Sequence, residues 1–206
     1  MLQKLASFAG ISGPVVTIVM DGYGLSKTDV GSAIAAARKP TLDRLFANYP
    51  NITLRAHGTA VGMPSDEDMG NSEVGHNAIG AGQVFSQGAA LVADAIASGA
   101  IWQGEAWQQI VAGAKAGRGM IHFIGLFSDG NVHSHLDHLR AMVVRAKEDG
   151  VKAVRIHALI DGRDVPETSA LDYTEPFEAF LSEISVAGFE AQIASGGGRM
   201  NITMDR

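Results

Sequence analysis

The 206-residue sequence predicts an α/β fold built on a mostly parallel sheet. Three observations lead there. Short, continuous apolar runs alternate with segments whose apolar residues recur at helical spacing. Gly- or Pro-bearing turns separate the two kinds of segment. Four of the apolar runs end in polar clusters, "MDGYG", "FSDGNVHSH", "IDGRD" and "SGGGR". Ligands gather at such strand ends in an open parallel sheet.

Taken in order, residues 15–20 (VVTIVM) read as a buried parallel strand, because the run is continuous and rich in β-branched residues. Residues 39–50 place Leu42, Leu45 and Phe46 at helical spacing, with Pro40 and Thr41 as a start signal and Pro50 as a stop. Residues 51–56 (NITLRA) read as a second strand. Residues 57–86 are glycine-rich and read as one long loop, a length that usually marks either function or disorder. "QGAALVADAIASGAI" and "GEAWQQIVAGAKAG" read as helices, and "GMIHFIGLFSDG" as a buried strand ending in a turn. "HLDHLRAMVVRAKEDG" is an amphipathic helix stopped by Gly150. "VKAVRIHALIDG" is a strand, residues 170–188 form a helix with a kink expected at Pro176, and "FEAQIASGGG" is a final strand.

Composition narrows the class. Apolar residues make up 46% and charged residues 18%, the balance of a globular chain rather than a disordered one. The net charge of −6 argues against a general nucleic-acid or acidic-membrane binder, though local arginines can still hold a small anion. With no cysteine there is neither a disulfide nor a thiolate metal site. The first twenty residues lack the pattern of a secretory signal and no run is long enough to span a membrane, so a cytoplasmic location is expected.

Several clusters carry chemistry. Asp21 follows an apolar run, where its carboxylate could reach a hard cation or simply close an Asp-Gly turn. In "MGNSEVGH" (69–76), Ser72 stands among glycines that let backbone amides approach an anion. A helix beginning at Ser72 would add a partial positive charge there; the alternative is an ordinary Asn-Ser helix cap. Val74 occupies the place where a hydrolase nucleophile elbow needs its second Gly. "HSHLDH" (133–138) has the spacing of a dizinc hydrolase motif, but of the later histidines only His157 remains as a further ligand. His133, at the strand end, is the better candidate for meeting an anion. Arg163 in "DGRD" can clamp phosphate or carboxylate, or close a turn through a local ion pair. Arg199 follows three glycines, in a phosphate-cradling loop or a flexible bend.

Together, "VMDGYG", "HGTAVGMPSDEDMGNSEVGHNAIGAG", "SDGNVHSHLDH", "DGRD" and "SGGGRMNITMDR" resemble, in order and context, the cofactor-independent phosphoglycerate mutases. The likeness covers residues 14–206, and "MPSDEDMGNSEVGHNA" is similar to the plant and trypanosomatid branch. It implies an alkaline-phosphatase-like phosphatase domain with an inserted α/β transferase domain. Residues 1–86 would be the N-terminal piece of the first and 87–206 part of the second. It also implies interconversion of 3-phosphoglycerate and 2-phosphoglycerate without 2,3-bisphosphoglycerate. Ser72 would be the phosphorylated nucleophile, and Asp21 and Ser72 would be metal ligands for Mn2+ or Mg2+, two divalent ions in the complete enzyme. His133, Arg163, Asp164, Arg199 and Arg206 would bind substrate, and the complete enzyme would be a monomer. Family members are more than twice this length, so the chain is expected to be a truncated piece lacking most metal ligands and inactive alone. A dizinc hydrolase and a non-catalytic phosphoglycerate-binding piece are the alternatives.

Overall fold

The computed structural model describes residues 6–26 and 28–204. The described chain falls into two bodies, divided between Arg55 and Ala56.

The first body holds α1 (Ala33–Ala36) and α2 (Pro40–Asn48). Pro40 opens α2 at a position where its missing N–H costs nothing, as its sequence predicts. The two strands expected here, at 15–20 and 51–56, do not form: neither segment pairs with a strand among the described residues. Val16, Ile18 and Ile52 stand 77%, 80% and 84% exposed. The reason is that a parallel strand is stable only when neighbours complete its hydrogen bonds and cover both faces. Composition records the environment a run prefers and cannot supply the partner.

The second body opens with a single 3-10 turn at Gly58–Val61, followed by α3 (Ser72–Ala81), α4 (Gly88–Ala97), α5 (Ala100–Gln103) and α6 (Glu105–Ala116). The long loop expected at 57–86 thus contains a helix. Then come β1 (Met120–Phe127), α7 (Leu136–Glu148), β2 (Ala153–Ile160), α8 (Ala170–Ile184), β3 (Glu190–Gly198) and α9 (Arg199–Ile202). The strands are parallel in the order β1-β2-β3, with a register irregularity between Ile156 and His157. This is the βαβαβ arrangement expected from the sequence. Gly150 adopts a left-handed φ of 77° just past α7, as a helix stop requires. α8 runs through Pro176 as one helix.

Right-handed crossovers in this order put α7 and α8 on the same face of the sheet. The core lies between them: Phe127, Val143, Val154, Ile156, Phe177 and Leu181 are buried there. Phe127 and Phe177 meet edge to face with ring centroids 4.8 Å apart. On the opposite sheet face, Ile124 is exposed, and His122 Nδ1 meets His157 Nε2 at 2.9 Å, while His157 Nδ1 meets Ser195 Oγ at 2.7 Å.

Asp149 closes α7. It accepts hydrogen bonds from the Trp107 indole at 2.7 Å and from Arg145 Nε at 3.0 Å. The hydrogen bond from Arg145, with that from Trp107, outweighs burial and holds its carboxyl below the usual value of 3.8. A depressed folded-state pKa stabilises above the unfolded value, and the gain is lost as pH falls through the folded one. Asp149→Asn is therefore expected to lower the urea midpoint near neutrality. The gap to wild type should close once both are measured well below the ordinary carboxylate range.

Candidate active site

Ser72 is the first residue of α3. The preceding Asn71 is extended (φ −150°), and its side chain accepts a hydrogen bond from the Val74 amide at 3.0 Å. The Asn-Ser pair is therefore a helix cap, and the cap places Ser72 in the first turn, where the helix carries its partial positive charge. Both readings of the pair hold at once. The Ser72 side chain is exposed, and its Oγ lies 3.3 Å from His76 Nδ1. That nitrogen is closer still to the Ser72 carbonyl oxygen, at 2.7 Å. It therefore carries a hydrogen and donates it to the carbonyl, so it is not the base for the Ser72 hydroxyl. Removing the cap by Asn71→Ala should cost about 1 kcal/mol of local helix stability. Amide exchange at Glu73 and Val74 should rise, and Asn71→Asp, which keeps the acceptor, should leave it near wild type.

The three strand ends converge on one side of the sheet because the strands are parallel. β1 leads into the loop carrying His133, β2 ends at Asp161, and β3 delivers Arg199. Arg199 is buried, and its Nη1 bridges Asp161 Oδ1 at 2.8 Å and Asp164 Oδ2 at 2.7 Å. Asp161 Oδ1 also accepts from the amides of Arg163 and Asp164, at 3.1 and 3.2 Å. Burial opposes ionisation of Asp161. The hydrogen bonds it accepts, from Ser128, the Asp164 amide, Arg199 and the Arg163 amide, more than offset that and hold its pKa low. Burial likewise opposes the charge on Arg199, and its bonds to Asp164 and Asp161 outweigh it. This double ion pair fixes the "DGRD" turn against β3. It leaves the exposed Arg163 guanidinium without a carboxylate partner among the described residues; its Nη1 lies 3.7 Å from Met204 Sδ.

A cavity of ≈ 360 Å³ opens at this point. Its walls include Gly70, Asn71, His133, Arg163, Asp164 and Arg199. Four of the substrate-binding residues expected from the sequence thus meet beside the residue that precedes Ser72. Arg206 lies outside the described residues. Asp21 is an exposed turn residue of the first body and belongs to a different unit from the cavity. His133, His135 and His138 share a second cavity of ≈ 500 Å³ with apolar neighbours such as Phe123 and Met142. His135 Nδ1 is taken up in capping α7, where it accepts from the Asp137 amide at 3.1 Å. Burial first, and the neighbouring His135 second, lower the pKa of His138. Among the described residues no three His, Asp or Glu side chains gather as metal ligands, so neither a dizinc centre nor a complete two-metal centre is formed by them. The sequence reading overlooked Asn71 and Asp161 as site-builders. The Asx-cap pattern marked the first, and the acid opening "DGRD" marked the second.

Fold and site together define an α/β domain with a cavity at its strand ends, lined by His133, Arg163 and Arg199 and by the residue that precedes a serine at the start of a helix. Residues 92–206 match the family model described as BPG-independent PGAM N-terminus. The chain is 52% identical over 197 residues to a probable 2,3-bisphosphoglycerate-independent phosphoglycerate mutase of Leptospira interrogans, covering 95% of this chain and 36% of that protein. It is 48% identical to the Zea mays enzyme of that name (93% and 34% covered) and 45% identical to that of Trypanosoma brucei brucei (93% and 35%). A crystal structure of Leishmania mexicana phosphoglycerate mutase, determined at low cobalt concentration, superimposes with a TM-score of 0.82 at 48% identity, over 91% of this chain and 34% of that one. The chain belongs to the 2,3-bisphosphoglycerate-independent phosphoglycerate mutase family, and it spans about a third of the length of these relatives.

Proposed function

We propose that this chain is the serine- and arginine-bearing part of a phosphoglycerate mutase. That enzyme would interconvert 3-phosphoglycerate and 2-phosphoglycerate through a phosphoserine at Ser72, as an isomerase of glycolysis and gluconeogenesis that needs no 2,3-bisphosphoglycerate. The observation that carries the reading is the ≈ 360 Å³ cavity in which His133, Arg163 and Arg199 meet the residues leading into Ser72. A phosphoglycerate carries a phosphate and a carboxylate, and an arginine fork meets either through paired N–H donors. Arg163 and His133 would hold these groups. Arg199, already bound to Asp161 and Asp164, would form a rigid wall with Asp164 beside it, its charge offset by the two carboxylates. Positioning of this kind is a large part of phosphoryl-transfer catalysis.

Residues 1–86 are proposed as a piece of an alkaline-phosphatase-like domain and 87–206 as part of the transferase domain; the family match at 92–206 lies within the second, while the two bodies of the described chain divide at Arg55 and Ala56. Asp21 and Ser72 are proposed as metal ligands, for manganese or magnesium. The cobalt named for the Leishmania mexicana enzyme supports a divalent ion in the whole enzyme. The described residues do not complete such a centre, so the remaining donors must come from elsewhere. The cytoplasm is the proposed location and a monomer the proposed state of the whole enzyme. Among the described residues no helix is long and apolar enough to cross a membrane.

Calorimetry with 3-phosphoglycerate tests this reading. The 206-residue chain should bind it, and Arg163→Ala should weaken binding by ten- to a hundred-fold, on the order of one charge-assisted hydrogen-bonded pair. Supplied with manganese, the chain alone should show no turnover. Equal affinity of wild type and Arg163→Ala would remove the basis for the assignment.

A further inference from the structure

Asp68 and Asn131 are distant in sequence, and each lies just upstream of a wall of the cavity. Asp68 precedes Met69, Gly70 and Asn71; Asn131 precedes Val132 and His133. The two meet directly: Asn131 Nδ2 donates to Asp68 Oδ1 at 2.7 Å. The rest of the Asp68 carboxylate organises its own loop, with Oδ2 accepting from the Ser65 amide at 2.8 Å and the Ser65 hydroxyl at 2.7 Å. Its carbonyl accepts from the Gly58 amide at 3.0 Å, which closes the 58–68 loop.

Asn131 is held from the other side. It is 8% exposed and, at φ 54°, is the non-glycine residue with left-handed backbone among the described residues. Such a conformation persists only where the surroundings impose it, and Asn tolerates it better than most residues. The surroundings here are firm. The Gly130 amide donates to Ser128 Oγ at 3.0 Å, the Leu136 amide to the Ser128 carbonyl at 3.0 Å, and the Tyr173 hydroxyl to Asp129 Oδ1 at 2.8 Å. A loop anchored to the sheet end thus presents one buried amide to the exposed loop that leads into Ser72.

We propose that Asp68 and Asn131 form a positioning pair that holds the Ser72-bearing segment against the His133 loop and so sets the distance across the anion cavity. The inference rests on the mutase reading of that cavity. Neither residue touches substrate. The pair acts by fixing the chain on both sides, and its loss lets the segment before Ser72 swing away while the sheet stays folded.

Removing the donor, and then exchanging donor and acceptor across the pair, tests it. Asn131→Asp keeps the size and the tolerance of left-handed backbone but sets carboxylate against carboxylate. In the 206-residue chain, amide exchange over residues 65–72 should accelerate at least tenfold, exchange in β1–β3 should be unchanged, and the affinity for 3-phosphoglycerate should fall about tenfold. The double variant Asp68→Asn/Asn131→Asp restores a donor and an acceptor facing each other and should recover both properties; a merely destabilising change would not be rescued this way. Unchanged exchange in Asn131→Asp, unchanged affinity, or a double variant no better than the single one overturns the pairing role. Failure of the wild-type chain to bind 3-phosphoglycerate counts against the mutase reading and takes the proposal with it. Normal wild-type binding with an unaffected Asn131→Asp overturns the pair alone.

Discussion

Arg199→Met will cost the chain about 3–5 kcal/mol of stability, the range found when one partner of a buried ion pair is deleted. The guanidinium holds two carboxylates at 2.8 and 2.7 Å, and the Asp161 side chain is fully buried. Methionine fills much of the space but leaves both acids uncompensated. One of them, Asp161, also orders the amides of Arg163 and Asp164, so the loss reaches the turn that presents Arg163. Urea unfolding should show a lower midpoint with an unchanged slope, and 3-phosphoglycerate binding should vanish. Arg199→Lys should fall between, since an ammonium keeps the charge without the planar fork. Full stability in the methionine variant would mean that the ion pairs are incidental.

Gly62→Ala is expected to unfold the 58–87 loop while leaving the sheet intact. A Cβ at Gly62 would stand 1.8 Å from the Phe85 carbonyl oxygen, and the residue's φ is 86°. Both the left-handed backbone and the collision oppose any side chain, together on the order of 3 kcal/mol. The close approach has a purpose: the Gln87 amide donates to the Gly62 carbonyl at 2.8 Å, and the Gln87 side chain donates to the Val61 carbonyl at 3.0 Å. These bonds close the segment that contains Ser72 at its base. Limited proteolysis should cut the variant between residues 58 and 87, with β1–β3 exchange as in wild type. If the variant resists cleavage like the wild type, the base of the loop does not depend on Gly62.

The sheet body was legible because its signals are local. β1, β2 and β3 are short apolar runs ended by polar turns, and α7 announces itself by amphipathic spacing and Gly150. The segments at 15–20 and 51–56 carry the same kind of signal and form no strand, because pairing is a property of two segments and the sequence pattern describes one. α3 was hidden inside the glycine-rich stretch: Gly75 and Gly80 lower helix propensity, and the tertiary setting overrides them. A helix start near Ser72 and an Asn-Ser cap stood only as alternatives within the expected loop, and the structure has both. That His133, Arg163, Asp164 and Arg199 gather at one cavity was legible from strand-end clusters and family motifs. That Arg199 is spent on two carboxylates, leaving Arg163 as the solvent-facing guanidinium among the described residues of the cavity, required distances between elements. The Asp68–Asn131 contact joins two loops far apart in the chain and had no signature in either.

The central claim is that the strand-end cavity beside Ser72 is a phosphoglycerate site. Amide NMR of the 206-residue chain, titrated with 3-phosphoglycerate, addresses it most directly. The account predicts saturable shifts at Gly70, Asn71, Ser72, His133, Arg163 and Arg199, with the far ends of β1–β3 unmoved. Saturable shifts clustered anywhere else, or none at those six residues, would contradict it.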